Sequence, residues 1–183
     1  MGKLIYGAIM SLDGYVNDKR GNFDWAAPDE ELHAFFNDLE RGIGTHLYGR
    51  RLYEVMVWWE TALKDEESDA VNDYASIWRG TEKVVYSTTL DEVSSARTRI
   101  ERTFDAEAIQ ALKATTDRDI TIGGATLAAA ALDAGLVDEC QFVIVPVLVG
   151  AGTRALQGGG PSRMQLLEER RFSDGTVYLS YRI

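Results

Sequence analysis

The stretch of this sequence best suited to binding a charged ligand is IGGATLAAAALDAG, which begins at Ile122. A predicted strand ends at Gly123 and Gly124, and a helix rich in small residues is predicted to follow directly. Paired glycines let backbone N–H groups approach a phosphate closely, and the positive end of the helix dipole favours its negative charge. The pattern equally fits a tight turn before a closely packed helix, and it is neither the Rossmann nor the Walker lysine motif. The residues alone leave both interpretations open.

A second glycine turn carries two cations, in the segment YGRRLYE that begins at Tyr48. A short strand is predicted to end at Gly49, and the next helix begins with Arg50 and Arg51. Positive side chains are unfavourable at the positive end of a helix dipole, so an external anion would explain them. Pairing with the many acidic residues would explain them as well. Two such helix starts in one chain favour a phosphate site.

Two acidic residues, Asp13 and Glu31, are candidates for proton transfer. Asp13 follows a predicted buried strand in SLDGY, where its local role would be to cap the turn. Glu31 lies at the margin of the apolar stripe of a predicted helix, beside Phe35. His33 is predicted to point away from that stripe and His46 to be structural, so neither is a catalytic candidate. We expect no metal site, and no Gly-x-Ser-x-Gly elbow indicates a serine nucleophile.

The elements that position these residues follow an α/β order. The predicted strands are Lys3–Met10, Thr45–Tyr48, Lys83–Tyr86, Arg97–Glu101, Ile120–Ile122 and Glu139–Leu148, with a polar turn at Asn17–Asn22. The predicted helices lie between Pro28 and Gly42, and at Arg50–Trp58, Ala70–Trp78, Asp105–Lys113 and Thr126–Ala134. Gln165–Phe172 and Thr176–Ile183 predict a hairpin. We therefore expect one α/β domain over residues 1–183, with a mixed, mostly parallel central sheet, antiparallel C-terminal strands and helices on both faces.

The composition excludes several kinds of partner. The chain has 183 residues, with 29 acidic against 19 basic side chains and a formal charge of −10. Such a charge argues against nucleic acid and against an anionic membrane surface. Cys140 is the one cysteine, so no intramolecular disulfide is possible. The N-terminus lacks a signal-peptide pattern, and no apolar run reaches about 18 residues. We expect a soluble, cytoplasmic protein that acts on a small molecule.

Together these motifs resemble the dihydrofolate reductase-like superfamily, and more closely its riboflavin-biosynthesis reductase (RibD C-terminal-type) branch in stand-alone form. In chain order the motifs are SLDGYV, GRRLYE, VVYSTT, IGGATLAAAALDAGLVDE, PVLVGAGTRAL and FSDGTVYLSYRI. They extend over essentially the whole chain. The resemblance implies the dihydrofolate reductase-like fold and NADPH as the hydride donor.

The resemblance also implies roles for individual residues. The implied cofactor-binding residues are Ala8, Leu12 and Gly14 along the nicotinamide, Gly49, Arg50 and Arg51 at the phosphates, Ser87 and Thr88 at the 2′-phosphate end, and Gly123, Gly124, Ala125, Thr126 and Leu127 under the pyrophosphate. The implied substrate wall consists of Trp25, Phe35 and Tyr53. Family members often carry Arg where this chain has Thr88, which leaves Arg50 and Arg51 as the main cations for a 2′-phosphate.

Glu31 aligns best with the buried acid of dihydrofolate reductases. Beside Phe35 and near Trp25, in a closed pocket, its carboxylate is expected to be partly desolvated and its pKa raised. Burial can outweigh the helix dipole, which favours the charged form. We therefore expect Glu31 to supply the proton that accompanies hydride transfer, with Asp13 or water as alternatives.

The expected activity is NADPH-dependent reduction of a small heterocycle of the pterin or pyrimidine kind. The alternatives are the 5-amino-6-(5-phosphoribosylamino)uracil reductase of riboflavin biosynthesis and a non-catalytic nucleotide-binding module. We also expect a homodimer, because residues 139–148 and the hairpin at 165–183 offer more strand surface than a small domain covers. The family resemblance points the same way.

Overall fold

The computed structural model describes residues 1–62, 68–160 and 162–183. The strands are β1 (Leu4–Ser11), β2 (Tyr15–Asp18), β3 (Ile43–Gly49), β4 (Glu82–Tyr86), β5 (Thr98–Glu101), β6 (Asp119–Gly123), β7 (Glu139–Val145), β8 (Gly152–Arg154), β9 (Gln165–Arg171) and β10 (Val177–Arg182). The helices are α1 (Glu30–Arg41), α2 (Arg50–Met56), α3 (Trp58–Thr61), α4 (Asp69–Gly80), α5 (Ala106–Thr115) and α6 (Ala125–Asp133). A short 3-10 turn at Asp24–Ala26 precedes α1.

The main sheet has eight strands in the order β5-β4-β3-β6-β1-β7-β10-β9. From β5 to β7 each strand is parallel to its neighbours, whereas β10 runs antiparallel to β7 and β9. This architecture confirms the expected mixed α/β fold. Because parallel strands end on the same side, β3, β4 and β6 finish together at Gly49, Tyr86 and Gly123, and β1 runs on past them to Ser11. We call this side the carboxyl edge of the sheet.

Each face of the sheet carries its own core. On one face, Tyr6 and Ile122 pack with Ala128 of α6, whose small side chain lets the helix lie close to the strands. On the other face, Leu32 and Phe35 of α1 pack on β7 and β10. The expectation of helices on both faces is therefore confirmed.

Helix α1 begins and ends as its sequence predicts. Asp29 is the N-cap, and its carboxylate accepts a hydrogen bond from the Leu32 N–H at 2.9 Å. Arg41 lies in the last turn, where a cation suits the helix dipole, and Gly42 is the C-cap. Asp105 caps α5 in the same way, as predicted.

One local expectation holds only in part, and another is wrong. Residues 17–22 are predicted to be a polar turn, and the structure has the turn at residues 19–21, but Asn17 and Asp18 belong to β2 because that strand pairs with β8. His33 is predicted to point away from the packed side of α1. It is instead buried and makes edge-on ring contacts with Trp59 and Tyr74, at centroid distances of 5.7 and 5.6 Å. Both residues lie on elements whose packing against α1 the sequence did not indicate.

The strand surface open to a partner differs from the predicted one. β7 lies between β1 and β10, so the prediction that residues 139–148 leave strand surface uncovered is wrong. β9 lies at the end of the sheet, and all of its residues are exposed. Of the strand surface on which the predicted homodimer depends, only the outer edge of the hairpin, at β9, is therefore open to a partner.

Candidate cofactor and substrate site

The two glycine turns singled out in the sequence meet at the carboxyl edge. β3 pairs with β6 so that Tyr48 lies opposite Gly123, which makes Gly49 and Gly124 neighbours. Gly124 has φ +93°, and a Cβ placed there would lie 3.5 Å from the backbone nitrogen of Gly49. The positive φ would strain any side chain at Gly124, and its Cβ would lie in van der Waals contact with the turn at Gly49. The backbone forms a cradle that requires glycine.

Two helices begin at the cradle. Gly124 is the N-cap of α6 and Gly49 is the N-cap of α2, and neither helix start has a side-chain cap. The first N–H groups of a helix have no partner within the helix, and the dipole makes them a favourable anion site. Thr126 is exposed in the first turn of α6, whereas Ala125 and Leu127 are buried. This arrangement can hold a pyrophosphate.

A second feature of the carboxyl edge is a shallow pocket of about 320 Å³ at the end of β4. The residues that line it are Arg50, Tyr86, Ser87, Thr88, Thr89 and Arg102. Sequence reasoning missed Arg102, which follows β5 and reaches this place because β5 pairs with β4. Arg51 is exposed but does not line the pocket. The cations here are therefore Arg50 and Arg102.

The centre of the sheet has an open floor at Gly7. Gly7 lies in the middle of β1 yet is exposed, and a Cβ placed there would meet nothing within 4 Å. The β1–β6 register pairs Tyr6 with Ile122, and continuing it places Gly7 beside Gly123. The side chain of Ala8 packs in the core on the opposite face of the sheet, so it does not cover this floor. A flat ring can lie on this floor.

Trp25 lies in the 3-10 turn before α1 and is partly buried. Its indole nitrogen is enclosed and has no hydrogen-bond partner among the described residues. Buried polar groups are almost always hydrogen-bonded, so this N–H is available to a water molecule or a ligand.

Glu31 does not have the environment that the sequence predicts. Its side chain is 42% exposed, and its carboxylate accepts hydrogen bonds from the backbone N–H and hydroxyl of Ser173, at 3.2 and 2.9 Å. Arg170 lies at 3.5 Å. The hydrogen bonds from Ser173 lower the pKa of Glu31, so the predicted upward shift is wrong. Glu31 is an ionised carboxylate that ties α1 to the β9–β10 turn.

Asp13 is also an ionised anchor. It accepts hydrogen bonds from the Ser11 hydroxyl at 2.7 Å and from the N–H groups of Val149 and Gly150 at 3.1 and 2.7 Å. These bonds, that from Ser11 above all, lower the pKa of Asp13 to about 2. Asp13 therefore acts as a capping residue, as one interpretation of the sequence has it, and it also holds the loop at Val149 and Gly150 that follows β7. A carboxylate with this pKa is a poor proton donor near neutral pH.

Four other implied residues have clear positions. Phe35 is a core residue that packs on Phe172 and Tyr178, so it does not form the surface of a substrate wall. Tyr53 is also buried, with its hydroxyl 3.0 Å from that of Ser95, so its side chain packs in the interior. The remaining two lie at the end of β1: Leu12, which is 64% exposed, and Gly14, which has φ +85° in the turn.

Two other kinds of site receive no support. Within the described ranges, no group of three or more His, Cys, Asp or Glu side chains is placed to hold a metal ion. In the same ranges no helix has both the length and the apolar character needed to cross a membrane.

The fold and the glycine-lined carboxyl edge define a dihydrofolate reductase-like α/β domain. The chain belongs to the RibD C-terminal domain family, whose sequence profile matches residues 2–178.

Individual relatives agree with this assignment. The uncharacterized protein YyaP of Bacillus subtilis is 29% identical over 181 residues, which cover 98% of this chain and 94% of YyaP. A candidate riboflavin biosynthesis protein from Shewanella sp. PV-4 has a similar structure, with a TM-score of 0.77, 20% identity and 98% of each chain covered. The dihydrofolate reductase of Enterococcus faecalis, solved with NADP(H), has a TM-score of 0.64 at 13% identity, covering 99% of this chain and 96% of that one. The two structural matches support the fold.

Proposed function

We propose that this chain is a reductase that takes hydride from NADPH and transfers it to a small, flat heterocycle of the pterin or pyrimidine kind. The observation that carries the proposal is the cradle at Gly124 beside the open floor at Gly7. Membership of the RibD C-terminal domain family, and a fold shared with a dihydrofolate reductase solved with NADP(H), support the choice of cofactor.

The residues along the carboxyl edge fit an extended dinucleotide. Across the sheet, in the order β4, β3, β6 and β1, lie Ser87, Gly49, Gly124 and Gly7. Neighbouring strands are about 4.8 Å apart, so these positions span about 14 Å. In the proposal, the pyrophosphate binds the N–H groups at the start of α6. The adenosine end lies toward Ser87, and the nicotinamide lies toward Gly7.

The bound cofactor supplies the hydride, and the chain supplies position. Gly7 leaves room for the cofactor ring and the substrate ring to approach each other. Holding the two rings in position contributes more to the rate than a weak general acid does. The enclosed N–H of Trp25 can donate a hydrogen bond to the substrate or to an ordered water. Because Glu31 and Asp13 are ionised and engaged elsewhere, we infer that water delivers the proton.

The proposal is tested by a substitution that fills the open floor at Gly7. Gly7→Leu places a side chain where a Cβ meets nothing within 4 Å, so the fold is retained while the cleft is blocked. Gly80→Leu is the matched control, since a Cβ at Gly80 also meets nothing within 4 Å and lies at the end of α4. NADPH oxidation is followed with a panel of pterins and pyrimidines. We expect Gly7→Leu to lose at least about a hundredfold in turnover and Gly80→Leu to keep it.

Equal turnover of both variants would contradict the proposed cleft. NADPH binding without turnover of any heterocycle would favour the nucleotide-binding module. Turnover of the phosphoribosylamino pyrimidine alone would identify the riboflavin-pathway reductase.

We also propose that two copies of the chain pair along β9. Its residues are exposed at the sheet edge, including Leu166 and Leu167, which are 47% and 38% exposed. Exposed strand edges that carry apolar side chains are usually paired or protected. Sedimentation should give a dimer for the wild type, a monomer for Leu166→Lys with Leu167→Lys, and a dimer for the control Leu156→Lys. A monomeric wild type at micromolar concentration would refute the proposal.

A further inference from the structure

A line of three polar side chains lies close to the open floor at Gly7. Thr121 of β6 and His46 of β3 are partners in the strand register, and Nδ1 of His46 lies 2.7 Å from the Thr121 hydroxyl. Oε2 of Glu40, in the last turn of α1, lies 3.6 Å from the other ring nitrogen of His46, Nε2. Positions between a helix and the middle of a sheet are usually apolar, so these residue types need an explanation beyond packing. We call Glu40, His46 and Thr121 the polar line.

The polar line and the open floor lie on the same face of the sheet. Ile9 of β1 packs with the cluster that α1 forms on this face, and side chains alternate along a strand, so Gly7 points to this face as well. Glu40 belongs to α1, and the ring of His46 lies beside it, so His46 and its partner Thr121 point to the same side. The space above Gly7 and the polar line are therefore not separated by the sheet.

Thr121 is the member of the polar line that can meet a ligand. Its neighbours on the adjoining strands, His46 and Ile5, are buried, whereas Thr121 is partly exposed. The register pairs Ile5 with Thr121, which makes Gly7 the diagonal neighbour of Thr121. Strand spacing and rise put the two Cα atoms about 8 Å apart. A water molecule on the Thr121 hydroxyl can therefore reach the edge of a ring that lies on Gly7.

The protonation states of the polar line suit proton transfer. Burial raises the pKa of Glu40 to about 7, so its carboxyl group holds a proton that it can release near neutral pH. Burial lowers the pKa of His46 to about 3, and the charges of Lys83 and Arg118 act in the same direction, so the ring stays neutral. A neutral imidazole has one N–H and one free nitrogen, so it can accept a proton at Nε2 while it gives one from Nδ1.

The ionisable groups packed around the polar line do not compete with it for the proton. Tyr48 stacks on His46 at 5.2 Å, and Tyr74 lies on α4. Burial raises the pKa of both phenols well above the ordinary value, so both stay protonated. Nζ of Lys83 donates to two backbone carbonyls, at 2.9 and 2.7 Å. The side chain of Glu40 is 21% exposed, so solvent can return a proton to it.

We propose that Glu40, His46 and Thr121 form a proton relay to the water molecule from which the reduced heterocycle takes its proton. This inference rests on the proposed function, in which water delivers that proton. It also gives a role in proton transfer to His46, for which the sequence predicts a structural one.

The transfer balances as follows from the substrate outward. When hydride from the cofactor adds to the carbon of a C=N or C=O group, the nitrogen or oxygen takes a proton from the water molecule. The water regains a proton from the Thr121 hydroxyl, which regains one from Nδ1 of His46. Nε2 of His46 then takes the proton of Glu40, once a side-chain adjustment of about 0.7 Å closes the gap of 3.6 Å to a hydrogen bond. Glu40 is left as a carboxylate until solvent protonates it again.

The end of the relay is tested by steady-state kinetics on a heterocycle that the wild type reduces. Thr121→Val removes the hydroxyl at similar size, and Thr121→Ser restores a hydroxyl. Thr45→Val is the matched control, because Thr45 is buried on the neighbouring strand β3 and its side chain points to the opposite face. We expect Thr121→Val to lose about tenfold or more in kcat, with KM within about twofold. Thr121→Ser should recover most of the loss, and Thr45→Val should match the wild type.

The source of the proton is tested by the pH dependence. Glu40 donates only while it is protonated, so kcat of the wild type should fall as pH rises through about 7. Glu40→Gln should have a lower kcat and lack this step. A second measurement needs no cofactor: in an infrared titration of the protein alone, a carboxylic acid band should disappear near pH 7 in the wild type and be absent from Glu40→Gln.

Three results would overturn the relay: wild-type kcat in Thr121→Val, a wild-type pH step in Glu40→Gln, or loss of the Glu40 band near pH 4.5, the ordinary value for a glutamate. Any of them, in a wild type that reduces a heterocycle, would leave the proposed function standing with bulk water as the proton source. A wild type that reduces no heterocycle would contradict the proposed function itself, and the relay with it.

Discussion

Glu40→Gln should stabilise the protein at alkaline pH. Glu40 lies in the last turn of α1, with Oε2 3.6 Å from Nε2 of His46. That oxygen is enclosed and has no hydrogen-bond partner among the described residues. About a fifth of the side chain stays exposed, at 21%. Burial raises the pKa of Glu40 from 4.5 to about 7. The charged form is therefore disfavoured in the folded protein.

The pKa shift sets the size and sign of the effect. The difference between about 7 and 4.5, at about 1.4 kcal/mol per pKa unit, corresponds to about 3 kcal/mol. Partial exposure lowers our expectation to about 1–3 kcal/mol. The folded state holds the proton more tightly than the unfolded state. The free energy of unfolding therefore falls as pH rises from about 4.5 through about 7, and it is level above that. Gln carries no charge and escapes this loss.

Urea unfolding at pH 4.5 and pH 8 measures the effect. Burial lowers the pKa of His46 to about 3, so His46 contributes stability that is lost as pH falls below about 6.5. Since His46 is present in both proteins, the difference between wild type and Glu40→Gln isolates Glu40. The control is Asp38→Asn, on the same helix and 80% exposed. A Glu40→Gln advantage that is absent at pH 8, or equal at both pH values, would refute the reasoning.

Two further substitutions test the site. Gly124→Ala should weaken NADPH binding about tenfold or more, because its φ is +93° and its Cβ would fill the cradle. Its control is Gly135→Ala, where φ is +65° but a Cβ meets nothing within 4 Å, and equal affinities in fluorescence titration would contradict the cradle. Glu31→Gln should leave turnover within about twofold. The substitution should lower the free energy of unfolding at neutral pH, and this difference from wild type should disappear in acid, where wild-type Glu31 becomes protonated. A hundredfold loss of turnover would instead make Glu31 the proton donor.

Features that depend on neighbouring residues in the sequence were predictable. The cap at Asp29 and the stop at Gly42 bound α1 because capping involves side chains only a few positions apart. The turn at Gly123 and Gly124 was recognisable for the same reason, and strand order then brought it to Gly49. These are local signals, and the structure confirms the elements that they predict.

Features that depend on distant packing were not predictable. The sequence predicts a desolvated carboxylate at Glu31, but the β9–β10 turn supplies Ser173, which lies 142 positions further along the chain. Tyr53 is a residue type common in binding pockets, yet its hydroxyl forms a hydrogen bond with Ser95, some forty residues further along the chain. Arg102 reaches the pocket at the end of β4 only because β5 pairs with β4, and the sequence did not indicate this pairing. The open floor at Gly7 had one faint signal, a glycine inside an otherwise apolar strand.

A crystal structure of the chain grown with NADP⁺ tests the central claim most directly. We expect the pyrophosphate on the N–H groups that follow Gly124, the adenosine end toward Ser87 and the nicotinamide beside Gly7. The opposite side of the sheet offers a larger groove, of about 650 Å³, whose lining includes Lys113 and Arg182. Cofactor bound there, with the carboxyl edge empty, would contradict the account.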